Sequence, residues 1–115
     1  MTKEQKRSLL RALGTSYGKG TDLAALLWLQ GKDEEARSVE RRNAELRRTI
    51  DRLRRETWKE WRGSAAGLQD QIGRLNRQLQ IRIREIEREI RAARGLVKAL
   101  DLLDEIIELS RALIA

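Results

Sequence analysis

The sequence predicts an all-α fold: a long antiparallel helical hairpin, a coiled-coil stalk, carrying a small helical head. The head would be formed by the N-terminal helices and the C-terminal end of the last helix. Three observations lead there. The 115 residues include no proline, no phenylalanine and one tyrosine, and 37% are charged. Such a composition suits exposed helix and argues against a sandwich or a barrel. Over most of the chain the apolar residues step by three and four, the helical period. Glycines gather at positions 14–20, at 31 and at 63–67, where helices would be punctuated.

At the start, Thr2-Lys3-Glu4-Gln5 has the form of a capping box, with the Thr2 hydroxyl accepting and Gln5 reaching back. A short helix would follow to about Leu13 and stop at Gly14. The run from Gly14 to Gly20 holds three glycines in seven residues and reads as a loop. Asp22 would cap a second helix, Leu23 to Leu29, apolar on every side, with Trp28 in the core. Gly31-Lys32 makes a turn. Asp33, Glu34 and Glu35 then place acid at the positive end of a third helix.

That third helix carries Ala36, Val39, Asn43, Leu46, Ile50, Leu53 and Thr57 in alternating steps of three and four, a heptad seam. Asn43 interrupts it with a polar group of the kind that fixes register or oligomeric state. From Ser64 the same period runs to the C-terminus, so a single helix of about 78 Å is expected. Folded back across a turn near residues 62–64, its first part would pair with the third helix, and Gly95 would be a flex point. This gives one helical domain in two regions: a head of 1–31 with 95–115, and a stalk of 33–94.

In the last segment, Lys98, Asp101, Asp104, Glu105, Glu108 and Arg111 share one stripe, and the rest of the circumference is apolar. Such a helix must be covered on more than one side. Leu102, Ile106, Leu109 and Leu113 are therefore candidates, with Asn43, for a protein interface, and a homo-oligomer, a dimer first, is expected.

Several chemistries are excluded or unsupported by residue type. With no Cys and no His, zinc sites, disulfides, thiol nucleophiles and imidazole bases are ruled out. Gly14 to Thr21 resembles a phosphate-binding loop, but its spacing is one residue short and Gly20 intervenes before Thr21. A catalytic carboxylate pair needs two acids converging with separated pKa values. Glu85, Glu87 and Glu89 instead alternate with arginines on one helix. No catalytic residue, metal ligand, cofactor site or small-molecule substrate is assigned, and the expectation is a non-enzymatic protein.

The basic residues carry more information. The net charge is +7, which favours acidic partners. Arg37, Arg41, Arg48, Arg52, Arg55, Lys59 and Arg62 form a stripe opposite the heptad seam, and Arg74, Arg77, Arg84, Arg88, Arg91 and Lys98 form a second on the expected long helix. Segment 36–62 holds ten Lys/Arg against five Asp/Glu. A ridge of this kind can follow a phosphate backbone through counterion release. No aromatics are interleaved for base stacking, so such binding would be driven by charge and shape.

Trp58 and Trp61 sit at the expected stalk tip, where they serve either as an anchor for a partner protein or as a staple over the turn. Trp61-Arg62-Gly63-Ser64-Ala65-Ala66, between two helices, resembles the Trp-x-Gly turn of the WXG100 proteins. The resemblance implies a small helical hairpin exported by a type VII system; it covers six residues, and that family's C-terminal Tyr-x-x-x-Asp/Glu signal has no counterpart here.

Three functional expectations follow. The first is a structural or adaptor protein that self-associates through apolar helices and presents a basic stalk to a partner. The second is a sequence-independent nucleic-acid-binding accessory protein, and the third a WXG100-like hairpin. No apolar run reaches the ~18 residues of a membrane span, and no apolar signal core follows Met1, so a cytoplasmic location is expected.

Overall fold

The capping box is formed: Thr2 N donates to Gln5 Oε1 at 2.8 Å, and Gln5 N donates to Thr2 Oγ1 at 3.2 Å. In the computed structural model, which describes residues 2–56 and 65–113, the helix it opens runs without a break to Leu29. The described residues are all-helical apart from turns, in four helices: α1 (Lys3–Leu29), α2 (Asp33–Arg55), α3 (Ala65–Glu87) and α4 (Ala92–Arg111).

The expected loop at Gly14–Gly20 is thus the middle of α1. The reason is a heptad seam that passes through it. Leu9, Leu13, Ser16, Gly20, Leu23 and Leu27 are all buried, in steps of four and three. The expected break at Gly14 and cap at Asp22 do not occur, and Asp22 is an exposed mid-helix residue. Trp28 is 40% exposed and not a core residue. It lies under the Arg37 guanidinium, 5.4 Å from the ring centroid, and its Nε1 donates to Glu40 Oε1 at 3.0 Å.

α1 ends at the expected turn. Gly31 takes φ +72°, Gly31 N donates to the Trp28 carbonyl and Lys32 N to the Leu27 carbonyl, the paired bonds of a Schellman cap. α3 ends in the same way with no glycine. Glu89 takes φ +57°, Glu89 N donates to the Ile86 carbonyl and Ile90 N to the Glu85 carbonyl. The single helix expected from Ser64 onward is therefore two helices. Gly95 is not the hinge; it is buried in the first turns of α4, where a Cβ would stand 3.1 Å from Glu85 Oε2.

The packing replaces the stalk and head with a four-helix bundle measuring 44 × 21 × 18 Å. α1 and α2 form one antiparallel pair: Asn43 Nδ2 donates to the Tyr17 carbonyl (3.1 Å) and Thr21 Oγ1 (3.2 Å), and Lys6 Nζ reaches the Glu56 carbonyl. α3 and α4 form the other. The pairs join with α1 parallel to α3 (Ser16 with Asn76, Gln30 with Ile86) and α2 parallel to α4 (Arg42 with Asp104). α2 and α3, expected to be hairpin partners, occupy diagonal corners, as do α1 and α4. The seam of α2 is buried as read, from Ala36 to Leu53, but it is covered by α1 and α4. Thr57 and the turn near 62–64 lie outside the described residues.

Length explains the outcome. The 27 residues of α1 match the 23 of α2, so α1 can cover the whole seam that a short head helix would leave to α3. One interior then runs through the bundle, with Leu9, Leu13, Leu27, Leu46, Leu79, Ile86, Leu103 and Ile106 fully buried. Halfway along it lies a polar layer. Ser16 Oγ donates to Asn76 Oδ1 at 2.6 Å, Asn76 Nδ2 donates to the Ala12 carbonyl at 3.0 Å, and Asn43 stands beside Gly20.

Candidate functional site

The bundle sorts its arginines into two groups. Arg42 is held by Asp104 across α2 and α4, and Arg111 by Glu45 across the same helices. Arg47 and Arg54 share Asp51, and Arg82 is held by Glu85. Of these five, Arg42 and Arg82 are partly buried, and Arg47, Arg54 and Arg111 are exposed but paired. The residues singled out as stripes behave differently. Arg37, Arg41, Arg48, Arg52 and Arg55 on α2, and Arg74, Arg77, Arg84, Arg88 and Arg91 on or just after α3, are all exposed. None of these ten has an ion-pair partner among the described residues.

Helix periodicity accounts for the sorting. On α2 the stripe lies opposite Val39, Leu46 and Leu53, which are in the core. On α3 it lies opposite Ile72, Leu79 and Ile86, also in the core. Three carboxylates along the α2 row are engaged elsewhere, Asp51 with its two arginines, Glu45 with Arg111 and Glu40 with the Trp28 indole, while Glu34 and Glu35 share a cavity with Arg37 and Arg41 at the start of the row. The rows span about 27 Å (Arg37 to Arg55) and about 21 Å (Arg74 to Arg88) at ~1.5 Å per residue.

A groove of about 460 Å³ runs between α1 and α3, beside the second row. Its ionisable lining residues, Arg11, Lys19 and Arg77, are all basic; Ser8, Thr15, Gln69, Asn76 and Gln80 supply neutral hydrogen-bonding groups. Lys19 Nζ donates to Gln80 Oε1 at 2.7 Å, which holds the ammonium over the groove. Arg11 and Lys19 were missed from sequence because the helix carrying them was read as interrupted at Gly14. The continuous seam Leu9-Leu13-Ser16-Gly20-Leu23 was the signal that places them on one outer face. The second half of α4 differs in sign: Asp101, Glu105 and Glu108 are exposed along it, while Arg94 and Lys98 stand in its first turns.

The candidate interface residues fare otherwise. Leu102, Ile106 and Leu113 are buried within this single chain, and Leu109 packs against the same core. Most of the apolar circumference of α4 is covered by α3 and α2, with Val97 left 59% exposed. Asn43 is 7% exposed and bonded to α1. Lys59, Arg62, Trp58 and Trp61 lie outside the described residues.

No group of three or more potential metal ligands is assembled among the described residues, and no described helix is long and apolar enough to cross a membrane. Comparison with protein-family models, with curated proteins and with solved structures finds no match to the chain.

Proposed function

We propose that this protein is a binding module and not an enzyme, and that it binds nucleic acid through the phosphate backbone, without sequence preference. The observation that carries the reading is the separation of paired from unpaired arginines. A chain with a surplus of cations, in which Glu45, Asp51 and Glu85 are tied to arginines outside the rows, presents two rows without ion-pair partners among the described residues and a groove whose ionisable residues are all basic. Arginine suits this task because its planar fork pairs with phosphate oxygens in bidentate fashion. The spacing of the rows, one arginine per turn or two of helix, is compatible with contacts to successive phosphates and supplies no means of reading bases.

The self-associating adaptor is less well supported once most of α4 is covered inside the chain. The WXG100-like reading rested on a hairpin of two neighbouring helices, and α2 and α3 are diagonal.

The test is a salt titration of binding to duplexes of scrambled sequence. Affinity should fall with salt at a log–log slope of about −4 for a row of four or five arginines, at −0.9 per phosphate neutralised. Equal affinity for unrelated sequences is expected as well. No binding at low salt would overturn the reading.

A further inference from the structure

Resting on that reading, we infer that one copy of this bundle bridges two separate double-stranded segments, one on each arginine row. The inference comes from where the rows stand. α2 and α3 occupy diagonal corners of the bundle, and each row lies on the side of its helix opposite the core. The two rows therefore face away from one another, across a body 21 × 18 Å in section.

A duplex is stiff on this scale, with a persistence length of about 50 nm. Laid along the α2 row, it cannot turn around a body of that thickness to reach Arg74, Arg77 and Arg84. The second row stays open to a second duplex. On one flank between the rows, the second half of α4 exposes Asp101, Glu105 and Glu108, with Arg94 and Lys98 confined to its first turns; the acidic half repels phosphate and separates the two surfaces there. On the other flank the groove cations Arg11 and Lys19 extend the α3 surface and add to its site. Both helices run along the long axis of the bundle, so two duplexes bound in this way lie side by side, with the bundle as spacer.

The bridge needs no dimer, because both surfaces belong to one chain. That makes it separable from self-association. It is separable also from the simpler reading in which a single face binds. If only one row is used, neutralising the other changes nothing; if both are used, each neutralisation removes one of two sites.

The experiment uses the full chain and short duplexes of scrambled sequence, one immobilised and one labelled and free. Co-capture of the labelled duplex is measured, with the mass of the protein and the number of duplexes per chain read by sedimentation. Two triple variants are compared, Arg48→Gln/Arg52→Gln/Arg55→Gln and Arg74→Gln/Arg77→Gln/Arg84→Gln; helicity by circular dichroism confirms that each folds. All six arginines are exposed and without an ion-pair partner among the described residues, so the core is untouched. The wild type should carry two duplexes per chain while monomeric. Each variant should carry one, and its co-capture should fall at least tenfold. The bridge is overturned if one variant loses all binding while the other behaves as wild type, or if co-capture is seen only where the protein sediments as a dimer. Binding of one duplex per wild-type chain overturns the bridge and leaves the proposed function standing. Absence of any binding at low salt overturns both.

Discussion

Gly20 lies directly beneath the Asn43 carboxamide: a Cβ built at Gly20 would stand 2.3 Å from Asn43 Oδ1. The contact fixes how closely α1 and α2 approach at mid-bundle, and Asn43 cannot swing away without giving up its bonds to the Tyr17 carbonyl and Thr21 Oγ1. Gly20→Ala should therefore destabilise by about 1–2 kcal/mol, the cost of overpacking outweighing the better helix propensity of alanine. Gly14 and Gly18, in the same helix, have nothing within 4 Å of an added Cβ. Alanine at either should stabilise by up to about 1 kcal/mol. Urea denaturation of the three variants decides the matter, and stabilisation by all three alike would refute the close approach.

This glycine cluster shows what was and was not legible in the sequence. The all-helical class and the α2 seam were, because period and composition are local properties. The run of α1 was obscured: its buried positions at mid-length are Ser16 and Gly20, which look polar or flexible in a sequence but serve as small residues that admit Asn76 and Asn43 to the interior. Partner choice was not legible either. A heptad seam states that a helix needs covering, and says nothing of which helix covers it. The outward arginine rows were legible, since a stripe opposite a correctly read seam is exposed whatever lies on the inside.

The end of α3 was hidden for a different reason. Glu89 occupies the left-handed position of the cap, φ +57°, where glycine is usual and where a side chain costs roughly 1–2 kcal/mol. Glu89→Gly should accordingly raise stability by about 0.5–1 kcal/mol, part of the relief being offset by the greater freedom of the unfolded chain. A thermal melt reads this as a higher Tm. A lower Tm would mean that α3 and α4 are not separated by a Schellman cap.

The interior of α4 offers a test of whether the chain covers itself. Ile106 and Leu103 are 0% exposed within one chain. Ile106→Ala should cost about 2–5 kcal/mol, and the unfolding midpoint should be independent of protein concentration for both wild type and variant. A midpoint that rises with concentration would show that a second copy completes the core.

The division of the arginines makes the final prediction, because it assigns two different losses to one kind of substitution. Arg42 is tied to Asp104 at 2.9 Å and is only 28% exposed; it joins α2 to α4, and its guanidinium is already neutralised. Arg42→Gln should cost about 0.5–1 kcal/mol of stability, as half-exposed pairs do, while the salt dependence of duplex binding stays near that of the wild type. Arg48 sits two turns further along α2, exposed and with no carboxylate on it. Arg48→Gln should leave stability within about 0.5 kcal/mol and reduce the log–log slope by about one unit, one phosphate contact being lost. Measured together by chemical denaturation and salt titration, the two variants should exchange phenotypes. If both weaken binding equally, net charge alone drives association and the rows have no special part. If neither changes the slope, the phosphate backbone is not what these arginines meet.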